Sequence, residues 1–203
     1  SDTAAYHNDI EHSELDRVDA WSGWAATYEV VIGYSNDLLH IVVWRPSAVD
    51  NGINILTRFQ FQDGWQAFNN LYIIIYPAES EADVMQLLGD QVFERQNYLS
   101  AATSASEAIF RNSGGLDLFY AWFNRGTSLA YLEDYYGAAN AYDEAYAIYA
   151  QLSPETRPWR MLWYNTRPYW AYYYIGRYQD VIDLATQTIT SPGGMLLEES
   201  FYW

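Results

Sequence analysis

The chain contains no cysteine and no lysine. Without thiols it can build no disulfide, no thiolate metal site and no cysteine nucleophile, so its stability must come from packing. All ten cationic side chains are arginine, set against 26 Asp and Glu, and the formal charge is −16. Phosphate binding draws most of its affinity from cationic side chains, so such a surface repels nucleic acid and anionic membranes. Long apolar runs are also missing. The longest, such as "LYIIIYP", fall far short of the roughly 20 residues that span a bilayer, so no membrane span is expected.

Aromatic residues are abundant instead, at 18% with 20 Tyr and 9 Trp. Rings with an apolar body and a polar tip suit packing faces and binding surfaces. At 203 residues and 50% hydrophobic content, the chain can build one ordinary domain or two small ones. An acidic surface whose only cation is arginine fits an extracellular or otherwise harsh setting. The first residue is serine rather than methionine, which leads us to expect a segment upstream.

Residues 1–20 are polar and acidic and read as a leader or arm. Within them His7 and His12 stand among Asp9, Glu11, Glu14 and Asp16, residue types that ligate metals. A solvated acidic segment is the better reading, and no metal or other cofactor is expected. From 21 to 78 the signals are β-type. "TYEVVIGYS", "LLHIVVWRP", "INILTRFQF" and "LYIIIYP" are separated by the turn formers "SND", "VDNG" and "QDG". They predict a small, mainly antiparallel sheet whose first and last segments are covered on both faces.

After Pro77 the period changes. "SEADVMQLLGD" opens with Ser80 three residues before Asp83, a cap-like start, and stops at Gly89. "QVFERQNYLSAATSASEAIFRN" predicts a second helix, so 79–115 reads as connecting helices and 116–203 as helical throughout. The fold class is therefore α+β, a small sheet followed by a helical region.

Within that region "AWFNRGTSLAYLEDYYGAANAYDEAYAIY" carries Trp122, Gly126, Leu129, Tyr135, Ala138, Tyr142 and Ala145. The spacing resembles the tetratricopeptide repeat, in which two antiparallel helices cross at a small residue and interlock through alternating Ala and aromatics. Arg125 departs from the leucine preferred there and must pair or reach solvent. In "YYYIGRYQDVIDLATQTIT", Gly176, Tyr178, Val181 and Ala185 correspond to Glu133, Tyr135, Ala138 and Tyr142. The spacing from Tyr135 to Tyr178 is 43 residues against a usual period of about 34, and the surplus falls in the loop "QLSPETRPWR". Pro168 is expected to kink or restart the first helix of this second unit. A third unit opens at "LEESFYW".

"GWAATYEVVIGYSND", "GWQAFNNLYIIIYP" and the repeats with "PWRMLWYNTRPYWAYYYIGRYQDVIDLA" together resemble secreted bacterial proteins. These proteins join a papain-like, bacteriocin-processing (double-glycine) peptidase domain to tetratricopeptide repeats. The resemblance covers most of residues 21–203. In that family a Cys lies in the N-terminal half, a His begins the strand at the position of Thr27, and an Asp follows the next strand near Arg45 and Pro46. A thiol needs a basic imidazole and an orienting third group, and this chain has none of the three. His40 reads as a structural or surface histidine. The resemblance thus implies a catalytically silent peptidase remnant over 21–78, and the alternative is a fragment of a peptidase whose catalytic half lies elsewhere.

The function expected is a non-catalytic extracellular or cell-surface interaction protein that works through its repeats on protein partners. Its concave face should present Phe123, Thr127, Tyr131, Trp170, Tyr173 and Tyr174. Phe201, Tyr202 and Trp203, on the third unit, should draw in another copy and build a homo-oligomer or filament. Incubation with a double-glycine leader peptide is expected to give no hydrolysis. Turnover that titrates with this chain would overturn the non-catalytic reading.

Overall fold

The computed structural model describes residues 29–44, 52–191 and 194–203. The acidic arm, His7, His12, Thr27, Arg45 and Pro46 lie outside them. The chain divides into two compact units between Leu71 and Tyr72. The Trp65 indole donates to the Leu71 carbonyl at 2.6 Å on one side of that point, and the Tyr72 hydroxyl bonds Gln91 Oε1 at 3.3 Å on the other.

The first unit is a three-stranded antiparallel sheet in the order β1 (Val30–Tyr34), β2 (His40–Trp44), β3 (Ile53–Thr57). The β1–β2 turn is held by Asp37, whose carboxylate accepts from the Leu39 amide at 3.0 Å and from the Ser35 hydroxyl. Ile41 pairs with Leu56 and Val43 with Asn54, so these four share one covered face, with Val43 fully buried. His40 is exposed at the start of β2.

Three features differ from the sequence expectation for residues 21–78. "INILTRFQF" is a strand only to Thr57 and then turns into helix α1 (Arg58–Gln66). Thr57 Oγ1 accepts from the Gln60 amide at 3.2 Å, while Gln60 Oε1 accepts from the Thr57 amide at 2.9 Å. This capping box satisfies two orphan amides and starts a helix where apolar content alone reads as strand. "LYIIIYP" forms no strand, and its Ile73 and Ile75 stand 67% and 92% exposed. Val30, Val31 and Ile32 of β1 are exposed too, although the first segment was expected to be covered on both faces.

The second unit is helical: α2 (Glu81–Leu88), α3 (Glu94–Arg111), α4 (Gly115–Tyr131), α5 (Tyr135–Tyr149), α6 (Met161–Tyr164), α7 (Arg167–Tyr174), α8 (Tyr178–Thr190) and α9 (Glu198–Tyr202). Ser80 precedes α2 as its N-cap residue, but its side chain makes no cap hydrogen bond. Tyr98 meets Tyr131 and Ser106 meets Arg125, so α3 and α4 run antiparallel. Phe119 meets Tyr149 and Phe123 meets Tyr146, so α4 and α5 do as well. Arg125 settles its departure from the pattern by donating to Ser106 Oγ at 3.1 Å. Its guanidinium also lies 5.9 Å from the Trp122 ring centroid.

Helices α4 and α5 cross where a Cβ on Gly126 would sit 2.8 Å from the Tyr142 ring. Tyr142 is fully buried, edge-on to Phe123 at 5.0 Å, with its hydroxyl 3.1 Å from Thr127 Oγ1. The second hairpin, α7–α8, repeats the plan with the sizes exchanged. Seven residues before the turn residue stands Gly126 in one hairpin and Tyr169 in the other; nine residues after it stand Tyr142 and Ala185. Tyr169 and Ala185 are both buried, so the equivalent places of each hairpin hold one large and one small residue. Both turns need a left-handed backbone, Glu133 at φ 65° and Gly176 at φ 80°. Pro168 sits in the first turn of α7 and starts it without a kink, since its missing amide proton is an orphan there anyway. The hairpins are tied by Arg177, which grips Asp143 bidentately at 2.6 and 3.0 Å and Asp180 at 2.9 Å.

Replacing Gly126 by Ala is expected to destabilise the protein by about 1–3 kcal/mol through overpacking on Tyr142, despite alanine's better helix propensity. Denaturant titration checks this, and Gly126→Ala combined with Tyr142→Leu should recover part of the loss. Burial holds the Tyr120, Tyr142 and Tyr146 phenols far above their ordinary range. Their folded-state values are raised, so the stability they contribute is full below about pH 10 and is lost as pH climbs beyond it. The loss should run at about 1.4 kcal/mol per pH unit for each phenol. Tyrosinate absorbance and circular dichroism should therefore change together in one alkaline transition; phenols that all ionise while the helices persist would contradict the packing described.

Candidate functional site: an aromatic face with one cation

Rings from five helices of the second unit and from the residue after α9, with one arginine among them, form an unbroken series. Tyr98 of α3 stacks on Tyr131 of α4 at 4.3 Å and 5°. The Arg167 guanidinium lies 4.1 Å from the Tyr131 ring and 5.0 Å from Trp170, bridging α4 to α7. Trp170 meets Tyr174 at 5.9 Å, and Tyr174 stacks on Tyr135 of α5 at 4.5 Å. Trp203 packs on Trp170 at 5.5 Å and on Tyr173 at 5.3 Å, and Tyr173 meets Tyr178 of α8 at 5.4 Å.

Local sequence explains why the rings gather. "RPYWAYYY" places Trp170, Tyr173 and Tyr174 at i, i+3 and i+4, one face of α7. Pro168 fixes where that helix begins and so which residues point outward. The face is neither core nor ordinary surface: Tyr131, Tyr173, Tyr174 and Tyr178 keep between 40 and 58% of their area in solvent.

Its electrostatics are simple. Arg167 makes no ion pair among the described residues; its charge is spread over two rings, a contact worth about 0.5–2 kcal/mol each depending on desolvation. Burial, and then the neighbouring Tyr131, pushes the Tyr98 phenol up to about 12. Burial and the nearby Glu133 raise Tyr135 in the same direction. Both phenols are therefore protonated at neutral pH, and among the rings described Arg167 supplies the formal charge. A face of this kind can stack on planar or ring-shaped groups and attract a carboxylate beside them.

Of the residues expected on a partner-binding face, the structure brings together Tyr131, Trp170, Tyr173, Tyr174 and Trp203. Tyr202 touches the edge of Trp203 at 5.3 Å and is strongly exposed, and Phe201 is exposed beside it. Phe123 and Thr127 lie elsewhere. Both are buried at the α4–α5 crossing, where Thr127 accepts from Asn165 Nδ2 at 3.1 Å, so no partner reaches them without opening the hairpin. Sequence reasoning missed Tyr98, Tyr135, Tyr178 and Arg167 as members of the face. Tyr135 and Tyr178 held equivalent places in the two repeats and were there to be found; Tyr98 comes from a helix outside the repeat pattern.

Among the described residues, no group of three His, Asp or Glu is placed to hold a metal ion, and no helix is long and apolar enough to cross a membrane. Compared with known proteins, the chain matches no family model, no curated protein and no solved structure.

Proposed function

We propose that the protein is a non-catalytic interaction module of the tetratricopeptide type that assembles with copies of itself through the aromatic face. The observation that carries this reading is the continuous row of half-exposed rings around an arginine with no carboxylate partner among the described residues. The exchange of large and small residues at equivalent places of two hairpins supports the repeat assignment. So do the matching left-handed turns at Glu133 and Gly176.

A second copy supplies what the face lacks. "LYIIIYP" is exposed, most strongly at Ile73 and Ile75, and is followed by Glu79 and Glu81. Its apolar side chains and Pro77 suit the rings, and the carboxylates beyond them suit Arg167. Burying one large aromatic contributes about 1.5–3 kcal/mol, so a few such contacts offset the cost of association. Face and segment are different surfaces, which makes the contact heterologous and leads to a ring or an open filament. The acidic, lysine-free composition and the resemblance to secreted bacterial proteins support an extracellular or cell-surface setting.

Sedimentation and light scattering over a range of concentrations test the assembly. The native chain should exceed monomer mass, increasingly so as salt screens its negative charge. Trp170→Ala with Trp203→Ala should abolish this, and so should Ile73→Asp with Ile75→Asp. Each of those variants keeps one intact surface, so mixing them should give dimers and nothing larger. A native protein that stays monomeric throughout, or polymers that survive both pairs of substitutions, would overturn the reading.

A further inference from the structure

At the other end of α5 from Tyr135 lies a cleft of about 110 Å³, walled by Phe119, Tyr149, Trp159, Met161 and Leu162, with Tyr146 also in its lining. It shares no residue with the aromatic face. Its walls come from α4, α5, the loop before α6 and α6 itself, and α8 closes the remaining side. We propose that this cleft is a binding site for a small neutral aromatic molecule of one ring that carries one hydrogen-bond acceptor, of the phenol or pyridine class.

Size, polarity and one unmet hydrogen bond carry the assignment. An apolar cavity of about 150 Å³ takes up benzene, so an open cleft somewhat smaller fits a single ring and little more. Every residue lining it is uncharged, which favours a neutral ligand over a carboxylate or an amine. Trp159 and Tyr149 contribute rings to the lining, with the Arg160 guanidinium 4.5 Å from the first and that of Arg157 5.5 Å from the second. The Tyr146 hydroxyl is buried with no hydrogen-bond partner among the described residues, a state that costs a protein about 1–3 kcal/mol. Burial holds that phenol protonated, so it remains a donor seeking an acceptor.

The neighbouring hydroxyls are engaged with other groups, and none of them bonds Tyr146 among the described residues. Thr188 Oγ1 already donates to the Leu184 carbonyl at 2.9 Å and accepts from Tyr169, and Ser191 Oγ donates to the Thr188 carbonyl at 2.6 Å. Gln187 is exposed at the cleft, and its amide makes no hydrogen bond among the described residues. A ring oxygen or nitrogen reaching Tyr146 satisfies the buried donor, while Gln187 stands over the entrance.

Calorimetric titration of the intact chain with phenol, benzene and benzoate tests the site, with Trp fluorescence as a second readout. Phenol should bind saturably and roughly three- to tenfold more tightly than benzene, the worth of one neutral hydrogen bond, and benzoate should bind least. In Tyr146→Phe, benzene affinity should be unchanged, which also certifies the fold, while phenol falls to within about twofold of benzene. Equal binding of phenol and benzene to the native protein overturns the proposal without any variant. So does the absence of saturable binding by either, or a phenol preference that persists in Tyr146→Phe.

Discussion

The helical unit depends on one close approach: the ring of Tyr142 occupies the space a side chain on Gly126 would need. That approach sets the distance between α4 and α5, and the residues above and below can then be small. Ala138, Ala139, Ala141 and Ala145 line the buried side of α5. The Tyr142 hydroxyl makes the contact directional. It reaches Thr127, which also receives Asn165 from the segment ahead of α7, so the first hairpin's crossing positions the start of the second. Remove the ring and the hydrogen bonds, the interlock and the placement of α7 go together.

The aromatic face is a consequence of that placement. With α7 seated on α4 and α5, its outward row meets Tyr131 on one side and Tyr135 on the other, and Arg167 fills the gap between helices. The rings are thus held by the fold before any partner arrives, which limits the entropy lost on association. The cleft at the far end of α5 is built from the same helices but with walls that close around a volume. One helix pair therefore carries a stacking surface at one end and a small open cleft at the other.

Legibility followed physical range. The hairpin pattern was readable because Gly126, Ala138, Tyr142 and Ala145 act within a few turns of one another, and the structure places them at one crossing. The α+β division was readable from the change of period after Pro77. The strand at "INILTRFQF" was read correctly to Thr57 and misread beyond it, because apolar content outweighed a two-residue signal, Thr57 and Gln60, whose effect is to turn the chain into a helix. Phe123 and Thr127 were assigned to an open face because a repeat pattern gives helix position but not depth. Tyr98 and the cleft were invisible for a different reason: each depends on contacts between residues far apart in the chain, and no local spacing encodes those.

The arginines give the missing lysine a physical sense. Arg125, Arg157, Arg160, Arg167 and Arg177 each lie over a tyrosine or tryptophan ring, at 4.1 to 5.9 Å. A flat guanidinium can lie along a ring and keep its donors in plane, whereas an ammonium meets the ring as a hydrated point. Dissolved salt weakens exposed ion pairs and the mutual repulsion of like charges alike, but it has little purchase on a cation already pressed against a π-face. For a chain with a formal charge of −16, salt therefore acts on the mutual repulsion and on part-exposed ion pairs such as those of Arg177, and least on the contacts between guanidinium and ring.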